Sequence, residues 1–514
     1  MKILALTYKS ITFELEKSSS LYECDNEFDI YLNGAFVRKE RKNVFSLFGL
    51  KADCKYSVNA AGESARFKLP PIYAEVNVVS FGAKGDGITD DTPAFTAAIN
   101  CLPKNSALYV PAGIYFLKPL FLKSGTTVYL EKGAILLANP NREEYPVLPA
   151  LVKYGDRELN IGTWQGEEAD CFASLITAYN LHNIKIIGEG IIDCNALSGD
   201  WYVNHRVKRG AWRPRGMFFN RCKNVLVQGV TVKNTPSWNI HPYFCKNVSL
   251  LDLYLENPSS MPTTDGIDAD CCNSVNIAGV KISVGDDCIA IKSGTLDFAK
   301  KYNTPCRNII IRNCCMLSGH GGVVFGSELS GGIKNVNVAK SVFFGTDRGF
   351  RIKTRRGRGR IGTVGGVNFS DIKMQNVKVP FVINMYYNMG DENGHTEYVW
   401  TTEKLPVDER TPRLGSFTFK NMECSGTGYC AGAFYGLPES PIESVAFNNV
   451  KFSYDKDCSA GEPDMREKNS ALKNAGLDFY FVKKVLLKKV CFEGQNGEKI
   501  LLDNVQKIIQ KEGN

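Results

Sequence analysis

No apolar run in the 514 residues approaches the roughly 18 that a membrane helix needs, so helical membrane proteins are excluded. Leu, Ala and charged residues are not in excess, which argues against helical bundles and coiled coils. The stretch Met1-Lys2-Ile3-Leu4-Ala5-Leu6 is cut short by Lys9 and Glu14 and has no small-residue cleavage site, so it is a poor signal peptide. Paired C-x-x-C units are missing too, and the adjacent pairs Cys271-Cys272 and Cys314-Cys315 do not suit a zinc cluster. The 17 cysteines therefore read as buried free thiols of a cytoplasmic chain. Charge of neither sign dominates: 62 Lys+Arg against 54 Asp+Glu leave +8, so its distribution matters more than its sum. Gly (47), Phe (29) and Tyr (22) are plentiful, and with 44% hydrophobic residues they favour an all-β protein of many short strands.

Two regions differ in pattern. Residues 1–70 hold short period-two segments, Ser10–Glu16 and Phe28–Leu32 before Asn33-Gly34, then Ser46–Leu50 and Tyr56–Val58, at the spacing of a β-sandwich. The segment Leu50–Val58 resembles the late strands of a fibronectin type III module, and Pro70-Pro71 closes it as a stiff linker. Beyond it, Pro93–Ile99 is predicted as a helix capped by Thr89 or Asp90. Similar β phrases then recur, with Val225, Val248, Val275, Ile309 and Val336 in matching positions and an Asn before most of them. A variable period with alternating apolar residues predicts a β-solenoid whose loops differ in length, with the Asn residues in turns and a possible side-chain ladder. An antiparallel sandwich is the competing reading, disfavoured by the scarcity of tight hairpin turns. The expected domains are 1–70 and 71–514.

Four clusters fall at coil-like intervals: Thr263-Thr264-Asp265-Gly266-Ile267-Asp268, Gly285-Asp286-Asp287 running on to Lys292, Ser318-Gly319-His320-Gly321-Gly322, and the basic run from Arg348 to Arg360. Stacked on successive coils, they would line one cleft. Asp286 and Asp287 would point to opposite faces of a regular strand, so both reach the cleft only if Gly285 opens a bend. Most such pairs are a turn cap beside an exposed acid. Here Asp265 one coil away adds a third carboxylate, and mutual repulsion pushes one pKa upward. One acid that keeps its proton beside others that hold a water is the equipment of glycoside hydrolysis. The seven cations of the basic run read most simply as a solvated loop, or as a phosphate site, but no nucleic-acid-binding pattern accompanies them. Arg351 and Lys353 alternate around Ile352 and can both face the cleft, where they suit a carboxylate and hence an acidic sugar. A lone histidine is usually structural, but the glycines beside His320 permit close approach, and it is expected to poise the Asp pair. Trp238 suits either stacking on a sugar ring or packing in the core.

These residues resemble glycoside hydrolase family 28, the polygalacturonases. Thr263-Thr264-Asp265 stands at the family's Asn-Thr-Asp, and Gly285-Asp286-Asp287, Gly319-His320-Gly321 and Arg351-Ile352-Lys353 match its other motifs. Phe81–Gly87 and Gly436–Ile442 add support, so the likeness covers about residues 75 to 455. The resemblance implies a right-handed parallel β-helix and inverting hydrolysis of α-1,4 galacturonosidic bonds. It makes Asp286 the general acid, Asp265 and Asp287 the pair that activates water, and His320 the support of the acid. Arg351, Lys353 and one of Tyr386 or Tyr387 would hold the substrate, with Lys292 and Trp238 as further substrate-binding candidates. Thr263 departs from the family's Asn and removes an amide, which points to shifted specificity. No cofactor, metal, nucleic acid or membrane partner is implied.

The N-terminal module, the basic run and Ile383–Tyr387 resemble bacterial exopolygalacturonases, which implies release of monogalacturonate, or a dimer, from the non-reducing end of oligogalacturonides. Competing readings are a rhamnogalacturonan hydrolase, separable by substrate; a Ca²⁺-dependent pectate lyase, revealed by EDTA sensitivity and an unsaturated product; and a non-catalytic carbohydrate-binding solenoid, which would lose nothing on Asp286→Asn.

Overall fold

The computed structural model describes residues 1–359, 361–388, 395–467 and 469–511. Beyond the N-terminal module the chain winds as a parallel β-helix. One coil runs through Ile240–Tyr243, Lys246–Leu251 and Tyr254–Glu256, and the next through Ile267–Asp270, Asn273–Ala278 and Lys281–Ser283. Each strand pairs in parallel with its counterpart one coil on, giving a 12-stranded and a 22-stranded sheet.

The recurring phrases do stack. Val225, Val248, Val275, Ile309 and Val336 are consecutive register partners, and all are buried. Their side chains form one apolar column, which is why the phrases look alike while the connections between them do not. Just before each of these residues, and before Ile184 that pairs with Val225, the backbone turns through the left-handed region, with φ of 56–59° at Asn183, Asn224, Asn247, Asn308 and Asn335 and 65° at Ser274. Asn tolerates that conformation better than other side chains with a Cβ. The amides also form a ladder, Asn247 to Asn224 at 3.0 Å and Asn224 to Asn183 at 2.9 Å, with Asn335 to Asn308 at 3.2 Å further along.

The helix Thr92–Cys101 buries Ala94, Phe95, Ala98 and Ile99 against the first coils. Its N-cap is Asp91; the expected caps Thr89 and Asp90 lie in the strand Asp86–Asp90. The Asp91 carboxylate accepts from the amides of Lys84 and Gly85 at 2.6 and 3.0 Å, tying the entry turn to the helix.

Before the solenoid, three antiparallel strands (Lys2–Leu6, Ile11–Glu14, Val44–Leu47) face four others (Ala35–Lys42, Glu23–Leu32, Lys55–Ala60, Glu63–Lys68). They enclose a core of Ile11, Phe13, Ile30, Phe45, Val58 and Phe67. The module docks on the 22-stranded sheet: Glu14 grips Arg312 at 2.8 and 2.9 Å, Gln228 bridges Ser10 and Thr12, and Val44 packs on Leu251 and Ala278. The 12-stranded sheet, which carries the motif clusters, is left to a different set of covering loops. No helix among the described residues is long and apolar enough to cross a membrane.

Candidate active site

Neighbouring strands of the 12-stranded sheet bring the four clusters together. Ile267–Asp270 pairs with Asp287–Lys292, which pairs with Gly321–Gly326, which pairs with Arg348–Lys353. A bend at Gly285 and Asp286 precedes the strand that starts at Asp287, as both carboxylates facing the cleft requires. Only glycine fits the bend: a Cβ at position 285 would lie 2.2 Å from the carbonyl oxygen of Met261. The buried Thr264 hydroxyl accepts from the Gly285 amide at 2.9 Å and fixes the bend against the strand bearing Asp265. The result is a trio, with carboxylate oxygens of Asp265, Asp286 and Asp287 all within 4.8 Å of one another.

The three acids have different surroundings. Asp286 is the accessible one, its side chain 22% exposed, against 5% for Asp265 and 1% for Asp287. Burial pushes Asp265 well above the ordinary carboxylate range, and repulsion from Asp268, Asp286 and Asp287 pushes the same way. Burial also opposes ionisation of Asp286, yet a hydrogen bond from His320 and the charges of Lys353 and Lys292 hold it below the usual range. Burial thus works against the charge of Asp265, while His320 and the two lysines favour that of Asp286.

His320 Nδ1 lies 3.5 Å from Asp286 Oδ1, and its ring is half exposed. Its backbone amide donates to the Asp286 carbonyl at 3.0 Å. The close approach that the flanking glycines permit is thus to a neighbouring backbone: a Cβ at Gly319 would meet the same carbonyl at 2.6 Å. Burial lowers the His320 pKa, but the Asp286 hydrogen bond outweighs it and leaves it above the ordinary value.

The basic run is neither a solvated loop nor a free phosphate site. Phe350 and Ile352 enter the solenoid core, while Arg351 and Lys353 point the other way. Lys353 Nζ donates to Asp287 Oδ2 at 2.6 Å, and Arg351 Nη1 lies 4.0 Å from Asp287 Oδ1. Arg351 Nη2 is also bonded to Asp464, a buried acid on the segment between Ile442–Tyr454 and Ala475–Tyr480. Asn384 donates to the other Asp464 oxygen at 3.1 Å. Arg356 is paired with Glu439 of the Gly436–Ile442 motif at 2.6 Å. Arg360 lies outside the described residues.

The remaining sequence candidates separate. Tyr387 belongs to the site, its ring 5.7 Å from the Arg351 guanidinium carbon and 5.9 Å from Lys353 Nζ. Tyr386 does not: it is fully buried among core residues, because the chain's alternation turns it away from its neighbour. Trp238 is not an open sugar platform, being 3% exposed. Trp164, on the hairpin Thr163–Trp164 and Glu167–Glu168, stacks on it at 5.4 Å, and Lys292 Nζ sits 4.1 Å from its ring centre. Lys292 is likewise turned to protein groups, 3.0 Å from Asp268, 3.7 Å from Asp265 and 3.8 Å from Glu328, so it braces the trio from below.

Thr263 sits at φ +58°, where a β-branched residue is strained by about 1–2 kcal/mol. Its amide donates to Asp286 Oδ2 at 3.1 Å, so that contact does not depend on the side chain. Its hydroxyl accepts from Arg213. Sequence reasoning missed Arg213, Asn384 and Asp464. All three come from segments outside the four motifs; Asn384 lies in the noted segment Ile383–Tyr387, but nothing local marks its role, nor Arg213 or Asp464.

The sequence profile described as glycosyl hydrolases family 28 matches residues 103–434. A "Probable polygalacturonase" of Vitis vinifera is 30% identical over 384 residues, covering 73% of each chain. Among solved structures, a hyperthermoactive exopolygalacturonase from Thermotoga maritima aligns with TM-score 0.64 and 25% identity, over 82% of this chain and 92% of that one. A family 28 exopolygalacturonase of Yersinia enterocolitica aligns with TM-score 0.68 and 20% identity, over 99% and 97%.

Proposed function

The chain belongs to glycosyl hydrolases family 28, and from that premise we propose that it is an exo-acting polygalacturonase that takes single galacturonate units from the non-reducing end of oligogalacturonides. The observation that carries exo action is the covering of the 12-stranded sheet on both sides of the trio. Outward-facing Phe218, Asn220, His241, Tyr243 and Asp270 on one side, and beyond Arg351 on the other its successive register partners Val382 and Ala433 together with Asn384, are all buried. Asp286, His320 and Tyr387 stay accessible between these covered flanks, which suits a chain end better than a chain middle.

In this reading Asp286 is the general acid, because it alone of the trio is exposed enough to reach a glycosidic oxygen. Asp286 carries the proton to the leaving oxygen when substrate is bound, and Asp265 and Asp287, whose oxygens lie within 4.8 Å of it, hold the attacking water. Arg351, Lys353 and Tyr387 take a substrate carboxylate and ring. The oxygens of the trio are closer than the about 6.5–9.5 Å typical of inverting pairs, so the stereochemistry is to be measured directly.

Two experiments test the assignment. Trigalacturonate is incubated in EDTA and its products followed: saturated monomer from the first turnovers, with the inverted β-anomer seen by NMR, is expected. Mixed oligomers from a polymer would overturn exo action, an α-anomer would overturn inversion, and an unsaturated uronate would mean elimination. An aryl galacturonide with a good leaving group needs no acid, so it should restore much of the rate to Asp286→Asn and little to Asp265→Asn; the reverse would exchange their roles.

The three- and four-stranded sheets of residues 1–70 support a fibronectin type III-like module preceding a catalytic solenoid over 71–514. The proposed cytoplasmic location rests on the sequence alone, whose 17 cysteines suit a reducing setting. Recovery of the enzyme from the culture medium of its source would overturn that location.

A further inference from the structure

Four buried cations around the cleft are already matched. Lys292 faces Asp268, Lys353 faces Asp287, Arg351 faces Asp464 and Arg356 faces Glu439. Arg213 is different. It is 3% exposed, yet among the described residues it forms no ion pair. Its Nη1 donates to the Pro236 carbonyl at 2.7 Å, its Nη2 to the Thr263 hydroxyl, and its buried Nε has no partner. The nearby Arg215, also buried, has Nε and Nη1 unpartnered. Desolvation and the repulsion of Arg142 and Arg215 lower the Arg213 pKa to about 10, while the field of Asp265 opposes them. A buried guanidinium without a counter-charge is costly, and an anion placed beside it removes that cost.

Its position says which anion. Arg213 precedes the strand Met217–Asn220, two coils before the strand Ile267–Asp270 that follows Asp265. Arg351 lies two strands beyond Asp287, in the opposite direction along the axis. The two arginines bracket the trio, and through Thr263 Arg213 is one residue removed from Asp286. A galacturonosidic bond has a carboxylate on the sugar at either side, and Arg351 with Lys353 accounts for one.

We propose that Arg213 recognises the other: it is a specificity-determining residue that binds the carboxylate of the uronate on the side of the trio opposite Arg351. This rests on the polygalacturonase reading above. It also gives Thr263 a purpose, since its hydroxyl orients the guanidinium.

The test uses the full chain and three substrates: digalacturonate and its two monomethyl esters, one blocked on each sugar. Arg213→Gln should lower kcat/KM on digalacturonate by about 10–150-fold, the worth of a charged hydrogen bond. On one monoester the gap to wild type should close, and on the other it should persist. Lys353→Met, which also loses its contact with Asp287, should show the converse ester preference on top of a loss common to all three substrates. Arg213→Lys, a conservative variant that keeps the charge, should show a smaller loss with the same ester dependence. Equal losses by the Arg213 variants on all three substrates would make Arg213 a structural residue and overturn the proposal. Wild-type cleavage of none of the three would instead overturn the polygalacturonase reading, and the proposal with it.

Discussion

Replacing Lys353 by methionine keeps most of the stem and removes one charge. From sequence alone this lysine is a substrate clamp, and its loss should raise KM for uronates and little else. The structure places its ammonium 2.6 Å from Asp287, an acid whose side chain is 1% exposed and whose other oxygen has Arg351 only at 4.0 Å. Lys353→Met therefore takes away the one hydrogen-bonded cation of a buried carboxylate assigned to water activation. A hydrogen bond to a charged group is worth about 1.5–3 kcal/mol. At about 1.36 kcal/mol per tenfold, kcat should fall by about 10–150-fold in addition to any rise in KM. Initial rates on trigalacturonate at saturating and limiting concentrations separate the two constants. Lys353→Arg, which retains a charge near Asp287, should recover part of kcat. A variant with KM raised and kcat within about twofold of wild type would refute the reasoning, because a lost charged hydrogen bond at the reacting centre has to appear in turnover.

Asp286→Asn should reduce kcat by about 10²–10⁴ with the fold retained, as circular dichroism would check; near-normal turnover would remove Asp286 from the mechanism. The raised His320 pKa means the charged His320–Asp286 pair is present at low pH and is lost as pH rises through the folded value. The kcat/KM profile should accordingly fall on its alkaline side, and His320→Gln should remove that limb. In ¹H NMR titration His320 should titrate above its ordinary value in wild type and fall back in Asp286→Asn, while burial keeps His241 neutral throughout. Arg351 and Asn384 hold Asp464, and its pKa is depressed even though burial opposes ionisation. Its stabilising effect is full above the unfolded carboxylate range and is lost as pH falls through the folded value. Asp464→Asn should thus destabilise by about 1.5–3 kcal/mol at about pH 7, with the difference in Tm from wild type shrinking in acid; a pH-independent difference would contradict the ion pair.

What could be read from the sequence was whatever repeats or sits on a repeat. The column from Val225 to Val336 was visible because stacking demands the same residue class at the same place in every coil. The trio was visible because its members flank strands of adjacent coils, and a glycine before the Asp pair announced the bend. What failed came from chain far away. Nothing near Trp238 tells that Trp164, 74 positions earlier, lies across its ring. Nothing near Arg351 points to Asp464. The choice between Tyr386 and Tyr387 depended on which face each takes where the strand Val379–Asn384 ends, a matter of one residue of register. The cations from Arg348 to Arg358 looked like a solvated loop because their partners, among them Asp287, Glu439 and Asp464, are scattered over distant parts of the chain.

The asparagine-lined turn, finally, divides the labour of variation. From Asn183 to Asn335 the coils pass through that corner in the same left-handed conformation, and most of their asparagine amides hold one another in step. Length differences between coils are therefore pushed to the other corners, among them those beside the 12-stranded sheet, where the Trp164 hairpin and the Asp464 segment arise. The scaffold behaves as a shelf with a fixed spine: segments can be lengthened, exchanged or removed at the open side without disturbing the alignment of the shelves. How long a substrate this enzyme admits is thus separable from the chemistry it performs, and shortening the Trp164 hairpin should open the site into a groove while leaving the three aspartates where they are.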